Sequence, residues 1–448
     1  MFDLALVNGY IVDTDRIYKG NLYVTGEKIA AISEKTFFDA KEVVDVSGML
    51  LFPGGIDTHM HIGEYKADFE EMDTSTAAAV VGGMTCLLDM PLNLMTPSVV
   101  NVDIFKEKKE HLLEKSYADF CMYAALVPSN IKQLEKLHNE GAIAFKSFLP
   151  GAGSDFFAPE MKDIRKALQT IASFDGIAAF HCEDNSIIHS ELEDMKKNKK
   201  NSRQAFLDSR PLCAETIAVR DVIELAEAEH AKIHICHVSH PKVAKIIEQA
   251  KARNIDVSAE TCIHYLTFTE KDFISKGCFY KCAPPLRSEE ASEGLWKYLE
   301  NGTFVSMASD HSPGMPEDRS DENKPIYDVG NGISGVQTLF QTYYDRAVKR
   351  KYSPCLITRT LSEQPAKRFG IYGRKGALKV GFDADIVVFD PDLEWKVSPD
   401  ELYYKQKISA FVGLEGKGKP VSTYIRGNLV ARNGEIVGLP GGNFITRL

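Results

Sequence analysis

The sequence lacks any long apolar run. No stretch approaches the ~20 consecutive apolar residues that a membrane-spanning helix requires. The opening residues, MFDLALVNGY, also lack the basic segment and following apolar run of a signal peptide. We therefore expect a protein that has no membrane partner and is located in the cytoplasm.

An excess of basic charge is also lacking. Lys plus Arg number 53 and Asp plus Glu number 63, which gives a formal net charge of −10. This balance does not favour nucleic acid as a partner, and a small-molecule substrate is the better expectation. The cysteines are scattered, and several, such as Cys86, Cys121 and Cys236, lie inside apolar runs. They are better explained as small buried side chains in a reducing compartment than as disulfides.

The middle of the chain alternates apolar, β-rich runs with segments of helical character. Eight such runs are present, at 51–62, 84–90, 119–126, 143–149, 177–183, 232–239, 256–262 and 303–310. Eight strands that alternate with helices predict an α/β fold of the (β/α)8 TIM-barrel type. The alternative is an open doubly wound sheet, which usually carries a Gly-rich phosphate loop after its first strand. The sequence has no such loop.

The two chain ends have a different character. Both contain short β-rich runs separated by glycine and charged turns, and Asn433-Gly434 lies between apolar runs, which indicates a hairpin. Because chain ends often lie close together, we expect one small β-sandwich formed from both. The expected domains are therefore a β-sandwich in two parts, 1–51 and 376–448, and a barrel at 52–375.

Residues of metal-binding type stand at the ends of four expected strands. The first run ends in His59 and His61, which strand alternation places on one face. The fifth, sixth and eighth runs end at His181, His237 and Asp310. Active sites of TIM barrels lie at these C-terminal strand ends. Because burying so many histidines without partners would be costly, the set predicts a metal centre.

Lys146 lies inside the fourth run, AFKSFL. A bare ammonium beside metal cations is electrostatically unfavourable. Two alternatives follow: an ion pair with a nearby acid, or reaction of the amine with CO2 to form a carbamate, which is an anionic oxygen ligand.

Three further histidines have weaker signals. His234 lies three residues before His237, so alternation points it to the opposite face, where it is expected to pack. His264 and His311 follow the seventh and eighth runs. For both, a role in orienting metal ligands and a plain structural role remain open.

These motifs resemble those of the cyclic amidohydrolases, which comprise dihydroorotases, hydantoinases with dihydropyrimidinases, and allantoinases. The resemblance spans nearly the whole chain and is carried by PGGIDTHMH at 53–61, AFKSF at 144–148, FHCE at 180–183, HVS at 237–239, APPLR at 283–287, SDHSP at 309–313 and GALKVGFDADIVVFD at 376–390. It implies a TIM barrel with a β-sandwich from both chain ends, and hydrolysis of a cyclic amide.

The resemblance also implies two divalent metal ions, with Zn2+ expected and Co2+, Mn2+ or Fe2+ as alternatives. The implied ligands are His59, His61 and Asp310 for one ion, His181 and His237 for the other, and carbamylated Lys146 as the bridge. Asp310 would be the general base, which takes a proton from water and returns it to the leaving ring nitrogen. A homo-oligomer, specifically a tetramer, is implied as well.

Within the family, the motifs resemble those of allantoinases most, through DMPLN at 89–93, KCAPPLR at 281–287 and SDHSP at 309–313. Dihydroorotases carry an Arg two residues after the second metal-binding His and an Asn just before the Pro pair. This chain has Gly63 and Ala283 at those positions. Allantoinases commonly continue with a Glu-Pro-Gly loop, whereas here Glu64 is followed by Tyr65 and Lys66 in a loop one residue shorter.

The expected reaction is therefore hydrolysis of allantoin to allantoate, in purine catabolism. The alternative is a hydantoinase or dihydropyrimidinase, and a dihydroorotase or a non-catalytic homologue is less favoured. The expected substrate contacts are Gly63, Asn93, Ala283 and Gly332, the last within the loop GNGISG at 330–335.

Overall fold

The computed structural model describes residues 1–35, 39–65, 67–153 and 155–448. Its first five strands are β1 (Phe2–Val12), β2 (Ile17–Thr25), β3 (Lys28–Ser33), β4 (Ala40–Asp45) and β5 (Leu50–Pro53). β1 lies at the centre of this group, antiparallel to β2 and parallel to β4 and β5. The N-terminal end of the chain is therefore a β-sheet, as its short runs and charged turns predict.

The barrel strands follow. They are β6 (Gly55–Met60), β7 (Met84–Asp89), β8 (Asp119–Met122), β9 (Ala124–Ala125), β10 (Phe145–Phe148), β11 (Ile177–His181), β12 (Lys232–Ile235), β13 (Val257–Cys262) and β14 (Ser306–Ala308). Neighbours pair in parallel in the orders β6-β7-β8 and β9-β10-β11-β12-β13-β14. Nearly every residue of these strands is buried, as expected for a parallel sheet covered on both faces.

The ring closes where the last barrel strand meets the first. Met60 and His311 form a parallel bridge, and the His61 backbone N–H donates to the His311 carbonyl at 2.9 Å. β8 and β9 join the two sheet segments through Tyr123. Closure matters for function because it brings every C-terminal strand end to one rim.

The helices surround the barrel. They are α1 (Met72–Val81), α2 (Val102–Lys115), α3 (Leu134–Asn139), α4 (Met161–Ser173), α5 (Asn185–Lys197), α6 (Arg203–Asp208), α7 (Leu212–Ala228), α8 (Pro241–Ala252), α9 (Glu270–Lys276), α10 (Glu289–Glu300), α11 (Leu339–Lys349), α12 (Cys355–Thr358) and α13 (Gln364–Arg368). α4 shows why they form, since Ile164, Ala167, Leu168 and Ile171 repeat at helical spacing and are its buried residues. Among the residues described, no helix is long and apolar enough to cross a membrane.

The C-terminal strands return to the first sheet. They are β15 (Ile386–Lys396), β16 (Glu415–Ile425), β17 (Asn428–Arg432) and β18 (Glu435–Ile436). β15 pairs antiparallel with β5, so strands from both chain ends form one sheet. The predicted hairpin is present, with Asn433 at φ 53° and Gly434 at φ 83° between β17 and β18, as a two-residue turn of this type requires.

One predicted strand divides between the two units. The run at 51–62 is continuous in sequence, but Leu50–Pro53 pairs with β15 while Gly55–Met60 begins the barrel. Gly54 lies between them, where an added Cβ would overlap Thr85. The domain limits at 51/52 and 375/376 stay a prediction.

A buried cluster of charges connects the barrel to the terminal sheet. Lys375 Nζ lies 2.5 Å from Asp119, at the start of β8, and 2.7 and 2.9 Å from Asp385 and Asp383. Arg426, which follows β16, also pairs with Asp119. Because each charge has partners of opposite sign, the cluster avoids the penalty of an isolated buried ion. It lies at the N-terminal side of the strand, so the opposite rim remains free for the site.

Candidate metal centre

The residues that the sequence singles out gather at one rim of the barrel. Each lies at, or within two residues of, the C-terminal end of a barrel strand: His59 on β6, His61 directly after it, Lys146 on β10, His181 on β11, His237 after β12 and Asp310 after β14. His237 and Asp310 have positive φ values of 36° and 45°. Such backbone is uncommon outside glycine and tends to occur at functional sites.

Three of these side chains form a compact group of possible metal ligands. His59 Nε2 and His61 Nε2 lie 3.3 and 3.7 Å from Asp310 Oδ1, and one ligand atom of each residue lies within 4.8 Å of the others. His237 lies beside them, with its ring centroid 5.1 Å from that of His59 and 4.6 Å from that of His181. The structure therefore brings the two expected ligand groups side by side.

Lys146 lies among these side chains, and it forms no salt bridge to any residue that the structure describes. It is fully buried, and its Nζ has no hydrogen-bond partner among the described residues. The Phe148 ring lies beside it, with its centroid 4.8 Å from Nζ. The ion pair that the sequence left open is therefore not found in the described part of the chain. A buried amine without a hydrogen-bond partner, next to imidazoles and a carboxylate, is consistent with the second alternative, in which the lysine is converted to a carbamate.

The ring of His59 is held from behind by Glu260, in β13. His59 Nδ1 donates to Glu260 Oε1 at 2.5 Å, and Thr58 Oγ1 donates to Oε2 at 2.6 Å. His234 Nε2 lies 3.1 Å from the same carboxylate and its Nδ1 2.7 Å from Ser258 Oγ. His234 thus faces away from the rim, as alternation predicts, but it is part of a buried polar network rather than plain packing.

His181 has an equivalent support. Its Nε2 lies 2.8 Å from Glu183 Oε2, and Arg210 pairs with the same carboxylate. Burial would raise the pKa of Glu183, but the Arg210 guanidinium and the His181 ring outweigh it and lower this pKa to about 2. Both carboxylates that hold ligand rings are therefore ionised at neutral pH, and they fix which ring nitrogen faces the rim.

Burial keeps the histidines of the rim neutral. It lowers the pKa of His59 to about 4, with the Lys146 charge acting in the same direction. It also lowers the pKa values of His61, His181 and His237. A neutral imidazole offers a nitrogen lone pair, which is the form that binds a metal. Burial likewise raises the pKa of Asp310 to about 8, against the opposing effect of Lys146.

His264 and His311 differ in their surroundings. A ring nitrogen of His264 lies within 4.8 Å of Cys262 Sγ and of an Asp310 oxygen, so this ring lies beside a proposed ligand. His311 Nδ1 accepts from the Gly335 N–H at 3.3 Å, and its ring lies 4.9 Å from that of Tyr404. His311 therefore joins the rim to the loop at 330–335.

A cavity of about 390 Å³ opens above the rim, and His59, His61, His181, His237 and Asp310 lie in its wall. Three of the expected substrate contacts, Gly63, Ala283 and Gly332, also line it. Asn93 is not among the described residues that line this cavity. Its Nδ2 donates to the Pro97 carbonyl at 2.8 Å, and its Oδ1 accepts from Lys108 Nζ at 3.0 Å. A direct contact between Asn93 and substrate stays a prediction, and the geometry supports an indirect role through Lys108, which does line the cavity.

The loop that follows His61 forms part of the same wall. Gly63 has a φ of 109°, and a Cβ there would lie 2.9 Å from the Glu70 carbonyl oxygen. Glu64 accepts backbone N–H groups of Leu94, Met95 and Thr96 at 2.6–2.9 Å, which ties this loop to the next one. Lys66, in the part of the loop that the sequence predicts to be short, lies outside the described residues.

Comparison with known proteins agrees with this architecture. The model of the amidohydrolase family matches residues 50–430. The chain is 32% identical over 453 residues to a protein named L-hydantoinase from Paenarthrobacter aurescens, covering 100% of this chain and 98% of the relative. It is 33% identical over 446 residues to a protein named allantoinase from Deinococcus radiodurans, covering 99% and 98%.

Solved structures give the same result. A structure of L-hydantoinase (dihydropyrimidinase) from Arthrobacter aurescens matches with a TM-score of 0.96 and 32% identity over 100% of both chains. A D-hydantoinase structure matches with a TM-score of 0.91 and 27% identity over 99% of each chain. The chain therefore belongs to the amidohydrolase family. The predicted resemblance and the predicted fold, a TIM barrel with a small β-sandwich from both chain ends, are confirmed.

Family membership implies a binuclear centre of divalent metal ions. The residues present fit such a centre, because they combine neutral imidazoles, a carboxylate and an orphaned buried amine at one rim. Sequence reasoning did not identify Glu260, Lys108 or Arg319. A signal for Glu260 exists, since it is a lone acid inside the otherwise uncharged run VSAETC.

Proposed function

We propose that this protein hydrolyses a cyclic amide, and that its substrate is allantoin, which is opened to allantoate. The observation that carries the proposal is the convergence of His59, His61 and Asp310 beside His181 and His237 at the floor of one cavity. Relatives named L-hydantoinase and allantoinase support hydrolysis of a cyclic ureide.

His59, His61 and Asp310 would hold one divalent ion, and His181 and His237 the other. Lys146, as a carbamate, would contact both. Zn2+ is the proposed metal, because imidazole nitrogens and carboxylate oxygens are ligands that it accepts readily. Bound divalent ions supply Lewis acidity, which makes water more acidic and polarises a carbonyl oxygen.

Asp310 is the proposed general base. Its carboxylate lies in the cavity wall, with Oδ1 3.3 Å from His59 Nε2 and 3.7 Å from His61 Nε2. It would accept the proton of the attacking water and return it to the ring nitrogen that leaves. Proton transfer by one group in both directions works best when its pKa lies near the working pH. Burial raises the pKa of Asp310, whereas a bound divalent cation would lower it, so the two effects oppose each other.

Two neighbouring carboxylates, those of Glu260 and Glu183, would support the metal ligands without contacting the substrate. Glu260 and Glu183 hold the His59 and His181 rings with one nitrogen turned inward. They thereby reduce the reorganisation that the ligands would otherwise need on binding a metal.

The substrate assignment depends on the cavity wall. Allantoin is a neutral hydantoin ring with a ureido arm, and Gly63 provides no cation where a dihydroorotase would have an arginine. Backbone groups at Ala283 and Gly332 are proposed to bind the ring and its arm. The alternative, a hydantoin with an apolar 5-substituent, is favoured by a specific observation, since Phe69, Leu92 and Leu94 also line the cavity.

The test compares kcat/KM for allantoin, hydantoin, dihydrouracil and dihydroorotate with metal-replete enzyme. Allantoin should be preferred by at least ~10-fold, which corresponds to ~1.4 kcal/mol of differential transition-state binding. A smaller preference would replace allantoinase with hydantoinase. Elemental analysis of the same preparation should give close to two metal ions per chain.

The remaining assignments follow from the same resemblance. We propose a homotetramer in the cytoplasm that acts in purine catabolism. Light scattering coupled to size-exclusion chromatography tests the tetramer directly, since each chain has a mass of 49.8 kDa.

A further inference from the structure

Three basic side chains line the described wall of the cavity, and two of them have carboxylate partners. Lys108 Nζ lies 2.7 Å from Asp89, and Arg210 pairs with Glu183. The third is Arg319, in the loop after β14. It forms no salt bridge to a carboxylate among the described residues. Its neighbour Asp318 pairs instead with Lys324 at 3.3 Å.

Arg319 is buried and only partly satisfied. Its residue exposure is 6%. Nη2 donates to the Ser312 and Pro313 carbonyls, each at 3.1 Å, whereas Nη1 is buried and has no partner within the described structure. Burial lowers the pKa of Arg319 to about 10, so the guanidinium remains charged at neutral pH. The Asp318 charge opposes this effect without forming a salt bridge to Arg319, and a buried guanidinium with an unpaired nitrogen is costly.

The space around the guanidinium is formed by glycines. A Cβ at Gly314 would lie 2.6 Å from Arg319 Nε, and one at Gly332 would lie 2.9 Å from Nη2. A Cβ at Gly330 would lie 3.5 Å from Nη1. The head group thus lies where side chains are missing from three positions, and one of them, Gly332, itself lines the cavity.

We propose that Arg319 binds acceptor oxygens on the substituent arm of the substrate ring, and so selects cyclic ureides whose arm carries a carboxylate or a urea carbonyl. The proposal rests on the proposed function, because it assumes that a ring binds at the rim below. A planar guanidinium matches a carboxylate through two parallel hydrogen bonds and a urea carbonyl through one or two. Either group would supply an acceptor oxygen to the guanidinium.

A purely structural role makes a different prediction. If Arg319 only holds the Ser312 and Pro313 carbonyls, its loss would disturb the segment next to Asp310 and slow all substrates equally. If it binds the arm, the loss depends on which arm is present. The ratio of kcat/KM values between substrates separates these roles.

The experiment uses metal-replete Arg319→Gln and Arg319→Lys, with Lys324→Gln as the matched control that removes a cation from the same loop outside the cavity. The substrates are hydantoin, 5-methylhydantoin, allantoin and hydantoin-5-acetic acid. In Arg319→Gln, kcat/KM for the last two should fall about 10- to 100-fold, as expected for loss of a charged hydrogen bond. Hydantoin and 5-methylhydantoin should change by less than about threefold. Arg319→Lys should retain part of the preference for the carboxylate arm.

A second variant keeps the charge. Gly314→Ala should displace the guanidinium, because its Cβ would overlap Nε, and it should reduce the same two substrates selectively. Equal losses on all four substrates, or no loss on either oxygen-bearing arm, would overturn the proposal.

Calorimetric measurement of the binding of hydantoin-5-acetic acid and of 5-methylhydantoin tests the proposal without turnover of substrate. Arg319→Gln should weaken binding of the carboxylate ligand alone, and unchanged affinity for it contradicts the proposal. If the unaltered enzyme binds this ligand through Arg319 yet opens none of the four rings, the proposed function fails and the Arg319 proposal stands.

Discussion

Glu260 gives the sharpest test of how the site is built. It is a fully buried carboxylate that receives His59 Nδ1 at 2.5 Å, Thr58 Oγ1 at 2.6 Å and His234 Nε2 at 3.1 Å. The neighbouring His59 and His234 outweigh burial and hold its pKa well below the usual range. We consider Glu260→Gln, which preserves the shape and removes the charge.

The expected cost follows from these contacts. Glutamine retains one acceptor for His59, and its amide can donate to Thr58 and His234, so the ring of His59 remains in place. Charge-assisted hydrogen bonds are about twice as strong as neutral ones. Replacing them should lower the free energy of unfolding by ~1.5–3 kcal/mol. Loss of a carboxylate that supports a metal-binding histidine should reduce metal affinity ~10- to 100-fold.

The assay combines urea unfolding of the metal-free protein with titration of Zn2+ against a competing chelator. Asp345→Asn is the matched control, because Asp345 is also buried but pairs with Arg346 and Lys349, away from the rim. It should lose stability without losing metal affinity. If Glu260→Gln binds two ions as tightly as the unaltered chain, the carboxylate does not orient His59 and the reasoning is wrong.

Four other substitutions test separate parts of the site. Lys146→Ala should lose metal and activity, with partial recovery of both in short carboxylic acids. Asp310→Asn should fold normally and lose turnover by at least ~10²–10⁴-fold in a steady-state assay. Gly63→Arg should destabilise the protein and give no dihydroorotate hydrolysis, because its Cβ would press on the Glu70 carbonyl at a positive φ; gain of that activity would contradict this. Burial raises the pKa of Glu70 to about 7, above its unfolded value, so stability should decline as pH rises from about 4.5 to 7. Glu70→Gln should make the free energy of unfolding less dependent on pH over that range, and an unchanged slope would rule this out.

The sequence predicted the barrel and the positions of the expected ligands because both depend on local patterns. A strand end can be located from one apolar run, and alternation relates His59 to His61 without further information. The same logic failed at the first run, where Leu50–Pro53 pairs with β15 more than 300 residues later. A continuous apolar run cannot show that its two halves belong to different sheets.

The supporting residues escaped prediction because they are defined by contacts between distant segments. Glu260 meets His59 across 201 positions. The role proposed for Arg319 depends on three glycines and on an Nη1 that has no hydrogen-bond partner among the described residues, which only the folded loop reveals. Asn93 illustrates the converse: its motif was visible, but the sequence could not show that its amide is occupied by Pro97 and Lys108.

The charge of residue 146 decides whether the proposed ligands can hold two divalent cations. As an amine, Lys146 lowers the pKa values of His59 and His237 and has no counter-ion among the residues described. With divalent cations added, Asp310 would then be the sole anionic ligand proposed, and the ammonium would repel both ions. A carbamate reverses the sign at the same place. Loss of activity in Lys146→Ala would not distinguish these cases, because any cavity left by a buried side chain costs stability. Recovery of metal binding and activity in the presence of a short carboxylic acid would distinguish them, because such recovery requires an anion at the place of the Lys146 side chain. Failure of such acids to restore metal binding in a folded variant would argue against the carbamate.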